Sequence, residues 1–316
     1  MTNATPGPAA NEPIGIETAG SRSDLGVESS RLTLRAVCRR VGLSDEDATL
    51  IRLGENALYR LSVVPVVVRI ARKGYWDDAV KEVRVAQWFA ETNYPAVRLY
   101  DLPQPVEVAG HPVTFWYLID GRDGTESEGD VAHLGFLLRR LHHLDAPATF
   151  RLPHENILGR VEGRIANAPT LAADREFLLD RCRRIRAELS DLVFPLPPGP
   201  THGDAHVGNI MINGRGPILI DLERVAWGQP EWDLSMTATE YRTAGWWSDA
   251  EYASFVDAYG FDVTEWSGFE VLRRAHEIKM TTWLMQNIRE SRDIAVEYER
   301  RMHTLRTGIA GGWKAF

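Results

Sequence analysis

Apolar side chains change their spacing along this chain, and the change divides it. Over residues 32–41 they recur three and four apart, which predicts a short helix closed by Gly42. The period then falls to two. Residues 51–53 and 57–61 alternate apolar and polar positions, and residues 66–70 are dense in valine, so three strands are expected before residue 71. Helical spacing returns over residues 76–90, with Trp76, Val80, Val83 and Gln87 on one face. Residues 106–108 and 112–119, joined at Ala109-Gly110, read as a hairpin that completes a five-stranded sheet.

Beyond Gly121 the pattern is almost wholly helical. Residues 131–142 carry a broad apolar face, residues 174–192 form a second amphipathic stretch, and long helices are expected over 249–258 and 268–307. Pro195, Pro197, Pro198 and Pro200 stop regular structure ahead of His202. Ile218-Leu219-Ile220 reads as a strand that follows the turn Asn213-Gly214-Arg215-Gly216. Residues 1–30, rich in Ala, Gly, Pro, Ser, Asn and Glu, show no periodic face and read as a disordered tail. The chain is therefore α+β in class. A sheet with a helix is expected over 31–120, and a helical unit over 121–316.

Composition narrows the class. A chain of 316 residues is long enough for two lobes around a cleft. No apolar run approaches bilayer length, and the first residues lack a basic segment followed by an apolar one, so no membrane partner and a cytoplasmic location are expected. Two isolated cysteines, Cys38 and Cys182, cannot form a disulfide framework or a zinc cluster and read as buried thiols. A formal net charge of −8 argues against nucleic acid as a partner. The same charge suits a cationic substrate, or simply solubility.

The candidate chemistry is concentrated. His202-Gly203-Asp204-Ala205-His206-Val207-Gly208-Asn209 is followed by Ile220-Asp221-Leu222-Glu223. A tight loop can point Asp204 at a substrate hydroxyl while turning Asn209 back, and the strand before Asp221 can deliver that carboxylate to the same place. Either piece alone is common; the two in this order, with a Gly-rich turn between them, carry much more.

This segment resembles the signature of the aminoglycoside phosphotransferase family, relatives of choline kinase that share the protein-kinase-like fold. There His-Gly-Asp stands where protein kinases have His-Arg-Asp, and Ile-Asp-x-Asp/Glu stands for Asp-Phe-Gly. The ordered motifs cover roughly residues 45 to 240. The resemblance implies a two-lobed fold, with an antiparallel sheet and one helix in the N-lobe and a mostly helical C-lobe. It implies a small-molecule kinase in which Asp204 is the catalytic base, Asn209 and Asp221 hold Mg²⁺, and ATP or GTP is the co-substrate.

It also gives other residues expected roles. Gly54 and Asn56 lie where a phosphate-covering loop would be, although Gly54-Glu55-Asn56 alone could be any hairpin turn. Arg69 takes the strand position where kinases place a phosphate-gripping Lys, and Glu82 would be its partner. Arginine departs from that pattern, and a surface role for it stays open. An adenine ring would meet backbone groups between Tyr117 and Ile119 at the hinge. Asp233, in Gly228-Gln229-Pro230-Glu231-Trp232-Asp233-Leu234, would brace the catalytic loop, and His202 would sit beneath it.

The acceptor is expected to be a hydroxylated small molecule, possibly cationic, of aminoglycoside-like or other antibiotic type. A metabolic kinase for an amino sugar, a choline-like alcohol or homoserine is the alternative. An inactive nucleotide-binding pseudokinase module is a third reading, which the intact Asp204, Asn209 and Asp221 oppose. Tyr241, Trp246, Trp247, Trp266 and Trp283 could stack a ligand or be core. The histidines show no zinc spacing. Oligomeric state is not readable.

Overall fold

The computed structural model describes residues 25–125, 130–289 and 291–316. The tail expected over residues 1–24 lies outside them. Helix α1 (Val27–Val41) starts earlier than Leu32, because Leu25 is already buried and Ser29 closes the first turn onto Gly26 N at 2.8 Å. Residues 27–30 are thus helical, not tail.

Strands β1 (Thr49–Leu53), β2 (Ala57–Arg60), β3 (Val66–Ile70), β4 (Val106–Val108) and β5 (His111–Tyr117) form the expected five-stranded antiparallel sheet, in the order β1-β2-β3-β5-β4. The inward positions of the alternation, Tyr59, Val66, Val68, Val113 and Phe115, bury against Leu34 and Val37 of α1. Helix α2 (Trp76–Glu91) crosses between β3 and β4. Its Val85 and Phe89 join Trp116 and the leucines of the next helix in one apolar core, so that core runs through the hinge.

The helical lobe begins with strand β6 (Arg122–Asp123) and α3 (Asp130–His142). Val131, Leu134, Leu137, Leu138 and Leu141 of α3 are fully buried, each stabilising by ~1.5–3 kcal/mol. Then come α4 (Val161–Asn167), α5 (Ala172–Ser190), β7 (Gly199–Thr201), β8 (Ile210–Asn213), β9 (Gly216–Leu219), β10 (Ala226–Gly228) and α6 (Pro230–Thr239). β6, β8 and β9 pair as one small sheet, and β7 pairs with β10. Helix α7 (Asp249–Tyr259) lies on α3, where a Cβ at Gly135 would stand 2.6 Å from the Phe255 carbonyl oxygen. Only glycine allows that approach.

The long helix expected over 268–307 is two helices, α8 (Phe269–Gln286) and α9 (Arg292–Thr307). Ser291 starts the second by accepting Asp293 N with its hydroxyl at 3.1 Å, which redirects the chain. No helix among the described residues is long and apolar enough to cross a membrane.

Candidate active site

The loop from His202 to Asn209 hangs on one carboxylate. Asp233, in the first turn of α6, accepts His202 N at 2.6 Å, Gly203 N at 2.8 Å and His142 Nε2 at 3.0 Å. Burial opposes its ionisation, yet these donors hold its carboxyl below the usual range. The bracing role read from the sequence is thus three hydrogen bonds. Gly203 has φ +77°, and a Cβ there would stand 2.8 Å from the Arg224 carbonyl oxygen, so the turn requires glycine. His202 donates from Nε2 to the Ile220 carbonyl at 3.0 Å, tying the loop to the chain just before Asp221.

Asp204 projects from this loop with its two oxygens in different settings. Oδ1 lies 3.0 Å from Lys279 Nζ, and that ammonium also donates to the Gly203 carbonyl at 3.0 Å. Oδ2 lies 4.0 Å from Arg224 Nε and accepts no hydrogen bond among the described residues. Burial would raise the Asp204 pKa, but Lys279, His206 and Arg224 outweigh it and hold the carboxyl far below the usual range.

Asn209 donates from Nδ2 to the Asp204 carbonyl at 2.8 Å, and its own carbonyl accepts Ile220 N at 2.9 Å. Its amide oxygen accepts nothing among the described residues. Asp221 follows in the left-handed conformation, φ 57° and ψ 65°, with its side chain exposed. The sharp turn releases the carboxylate from strand alternation. Backbone and amide bonds thus tie the loop that carries Asp204 and Asn209 to Ile220, the residue before Asp221. An amide oxygen and a carboxylate are hard donors, few in number, which suits Mg²⁺ completed by phosphate oxygens and water.

The upper wall is an ionic network. Arg69 on β3 pairs with Glu82 of α2 through Nη1 and with Glu223 Oε2 through Nη2 at 2.5 Å. Turned with its amide oxygen inward, Asn56 accepts from Arg69 Nη2 at 2.8 Å and Nε at 3.2 Å. Burial pushes the Glu82 carboxyl up to about 7 against the pull of Arg69, and Asp221 and Glu223 push the same way. Arg69 is thus no surface residue, with 11% of its side chain exposed. Glu223 also meets Arg160 Nη2 at 3.0 Å, and Arg160 Nη1 reaches Glu55 at 3.8 Å, joining the lobes. A Cβ at Gly54 would meet nothing within 4 Å, so the space over that turn is open.

At the hinge, Tyr117 N bonds the Arg98 carbonyl and Leu118 N the Pro65 carbonyl, each at 2.8 Å. Those two donors are committed, which leaves the Ile119 peptide for a base. The Tyr117 ring sits edge-on to Tyr100, with centroids 5.2 Å apart.

A family model described as the phosphotransferase enzyme family matches residues 47–272, more than two thirds of the chain. The chain belongs to the phosphotransferase enzyme family. It is an enzyme that transfers a phosphoryl group to a hydroxyl acceptor, on a protein-kinase-like fold. No protein of curated description matches it.

Solved structures resemble the phosphotransferase in fold at low identity. Amicoumacin kinase hAmiN, in complex with AMP-PNP, Ca²⁺ and Ami, superposes with a TM-score of 0.68 at 14% identity, over 90% of this chain and 96% of that one. A choline/ethanolamine kinase family protein from Mesorhizobium loti gives 0.60 at 18% identity, over 88% and 93%. Spectinomycin phosphotransferase APH(9)-Ia, in complex with ADP and spectinomycin, gives 0.59 at 16% identity, over 86% and 93%.

Two charged residues that contact the predicted site, Lys279 and Arg160, went unread in the sequence, as did the buried Glu240. Lys279 stands on α8 in a run of buried positions, where a lone lysine was the available signal. Arg160 precedes a helix that has no motif. Glu240 opens a π-helical turn, Glu240–Ala244, and is buried, with Oε2 accepting Trp247 Nε1 at 2.9 Å. The aromatic cluster disperses. Tyr241 stacks on Tyr252 with centroids at 4.4 Å, Trp266 packs on Phe194, Trp246 donates to the Trp313 carbonyl, and Trp283 joins a separate core.

Proposed function

We propose that this phosphotransferase moves the γ-phosphoryl group of ATP or GTP to a hydroxyl of an antibiotic-like small molecule bearing amines. The observation that carries this reading is the asymmetry of Asp204. One oxygen is fixed by Lys279, and the other is left to accept the hydroxyl proton. Asn209 and Asp221 would hold Mg²⁺, which neutralises triphosphate charge. Arg69, kept in place by Glu82 and Asn56, would grip the triphosphate by exchanging Glu223 for phosphate oxygens. The Ile119 peptide would meet the base.

Recognition of an amine is supported by Glu240, a buried carboxylate close enough to Asp204 for the two charges to repel. An ammonium group there would offset the cost of its ionisation. A choline-like or other metabolic alcohol is the second reading, supported by the fold likeness to a choline/ethanolamine kinase family protein. Expression in a sensitive host, with inhibitory concentrations measured across antibiotic classes, separates the two. Resistance to at least one class is expected. No resistance, with fast phosphorylation of a metabolic alcohol, would select the second reading.

A further inference from the structure

One carboxylate of the upper wall lies between guanidiniums from both lobes. Glu223 Oε2 is 2.5 Å from Arg69 Nη2 on β3, and its Oε1 is 3.0 Å from Arg160 Nη2, immediately before α4. Two charged forks thus converge on the two oxygens of one anion, an arrangement that suits carboxylate and phosphate alike. The arginines are held differently. Arg69 has 11% of its side chain exposed and keeps Glu82 and Asn56 when Glu223 turns away. Arg160 has 37% exposed, and its other ion pair is loose, with Nη1 3.8 Å from Glu55 Oε2.

The contacts of Arg160 place it across the cleft. Glu55 belongs to the turn Gly54-Glu55-Asn56, which Gly54 N closes on the Asn56 carbonyl at 3.0 Å, and the space over Gly54 is open. Glu223 lies in the short turn Leu222–Arg224, two residues after Asp221. Arg160 therefore spans from the segment that carries Asp221 to the turn expected over the phosphates. Lys81 Nζ of α2 donates to the Glu223 carbonyl and, at 3.4 Å, to the Val225 carbonyl. The backbone of that segment is pinned, while the Glu223 side chain can rotate.

We propose that Arg160 is a second phosphate-binding arginine, which takes nucleotide phosphate oxygens in place of the Glu223 carboxylate. The inference rests on the phosphoryl-transfer reading above. A phosphate offers more charge and more acceptor oxygens than a carboxylate, so both guanidiniums gain by the exchange. The donors that Glu223 gives up are those the phosphate takes, and none is left unpaired. Arg69 holds the phosphate from the N-lobe and Arg160 from the C-lobe, so the phosphate becomes the link between them. Glu55 opposes this by its charge, but its side chain is 45% exposed and its repulsion is screened by solvent and salt. Glu223 is a competitor of the nucleotide, because its charge must leave the two arginines first.

The test needs no acceptor. Calorimetry on the full chain measures MgAMP-PNP and MgGMP-PNP, with adenosine and guanosine as phosphate-free controls. Wild type should bind at least one of the magnesium nucleotides more tightly than its nucleoside. Arg160→Ala should bind that nucleotide about tenfold more weakly, with Arg160→Lys in between, and both should keep the nucleoside affinity. Glu223→Gln, which removes the competing charge, should bind the nucleotide about threefold or more tightly. Thermal melting confirms that the variants fold, and Arg160→Lys keeps the test open if Arg160→Ala does not. Unchanged nucleotide affinity in Arg160→Ala overturns the role and leaves the nucleotide site standing. An equal loss for nucleotide and nucleoside also overturns it, because Arg160 would then act on lobe placement and not on phosphate. Weaker nucleotide binding by Glu223→Gln overturns the exchange. Wild type that binds neither magnesium nucleotide overturns the phosphoryl-transfer reading itself.

Discussion

Lys279 Nζ lies 3.0 Å from Asp204 Oδ1, and the pair joins α8 to the catalytic loop across 75 residues of sequence. The lysine is 7% exposed, while Asp204 keeps 27% of its side chain accessible. Breaking a buried pair from one side costs ~3–5 kcal/mol, and partial exposure of the acid places this pair near ~2–3 kcal/mol. Lys279→Met should lower unfolding free energy by that amount in denaturant titration. In a double-mutant cycle with Asp204→Asn, the coupling should exceed ~1 kcal/mol. Additive effects would mean that the pair contributes nothing to stability.

Asp233 gathers three donors, so an amide in its place must turn an N–H₂ group toward one of them. Asp233→Asn should cost ~2–4 kcal/mol and also reduce turnover, because the loop that aims Asp204 loses its anchor. Chemical denaturation and single-turnover assays read the two effects. Full turnover in a destabilised variant would make the brace structural only.

Glu240 gives the chain a pH signature. Burial raises its carboxyl pKa from 4.5 to about 7, the bond from Trp247 lowers it in part, and Asp204 adds to the rise. Between those two values the folded state binds the extra proton, so stability from this group falls as pH rises from about 4.5 to about 7 and stays low above. Glu240→Gln keeps an oxygen for Trp247 and carries no charge. It should raise the melting temperature at pH 8, by the equivalent of ~2 kcal/mol, and change it little near pH 4. Equal shifts at both pH values would contradict the assignment.

The motif residues were legible because each acts through its neighbours in sequence. His202 to Asn209 is one loop, and Asp221 follows a strand whose pairing with β8 is local, so order alone implies proximity. Asp233 could be read for the same reason, since it bonds backbone groups that any side chain at 202 or 203 would present. Lys279 obeys no such rule. It reaches Asp204 from a helix whose placement depends on packing of Leu272, Ala275 and Ile278 in a core shared with Ile165, and no short-range pattern encodes that. The early start of α1 was hidden by the composition of residues 1–30, because a single buried leucine outweighs a polar run. The break before α9 was written in Ser291, a capping residue inside an otherwise helical stretch.

The central claim is that Asp204 directs a magnesium-dependent phosphoryl transfer to a small-molecule hydroxyl. The direct measurement is mass spectrometry of hydroxylated antibiotics, amino sugars and choline-like alcohols after incubation with MgATP or MgGTP and either wild type or Asp204→Ala. The account predicts that wild type phosphorylates at least one compound only when Mg²⁺ is present. It predicts that Asp204→Ala, folded and still binding nucleotide, does so about 10²–10⁴-fold more slowly. Phosphorylation at the wild-type rate by Asp204→Ala, or nucleotide consumption that never transfers phosphate to any hydroxyl, would contradict it.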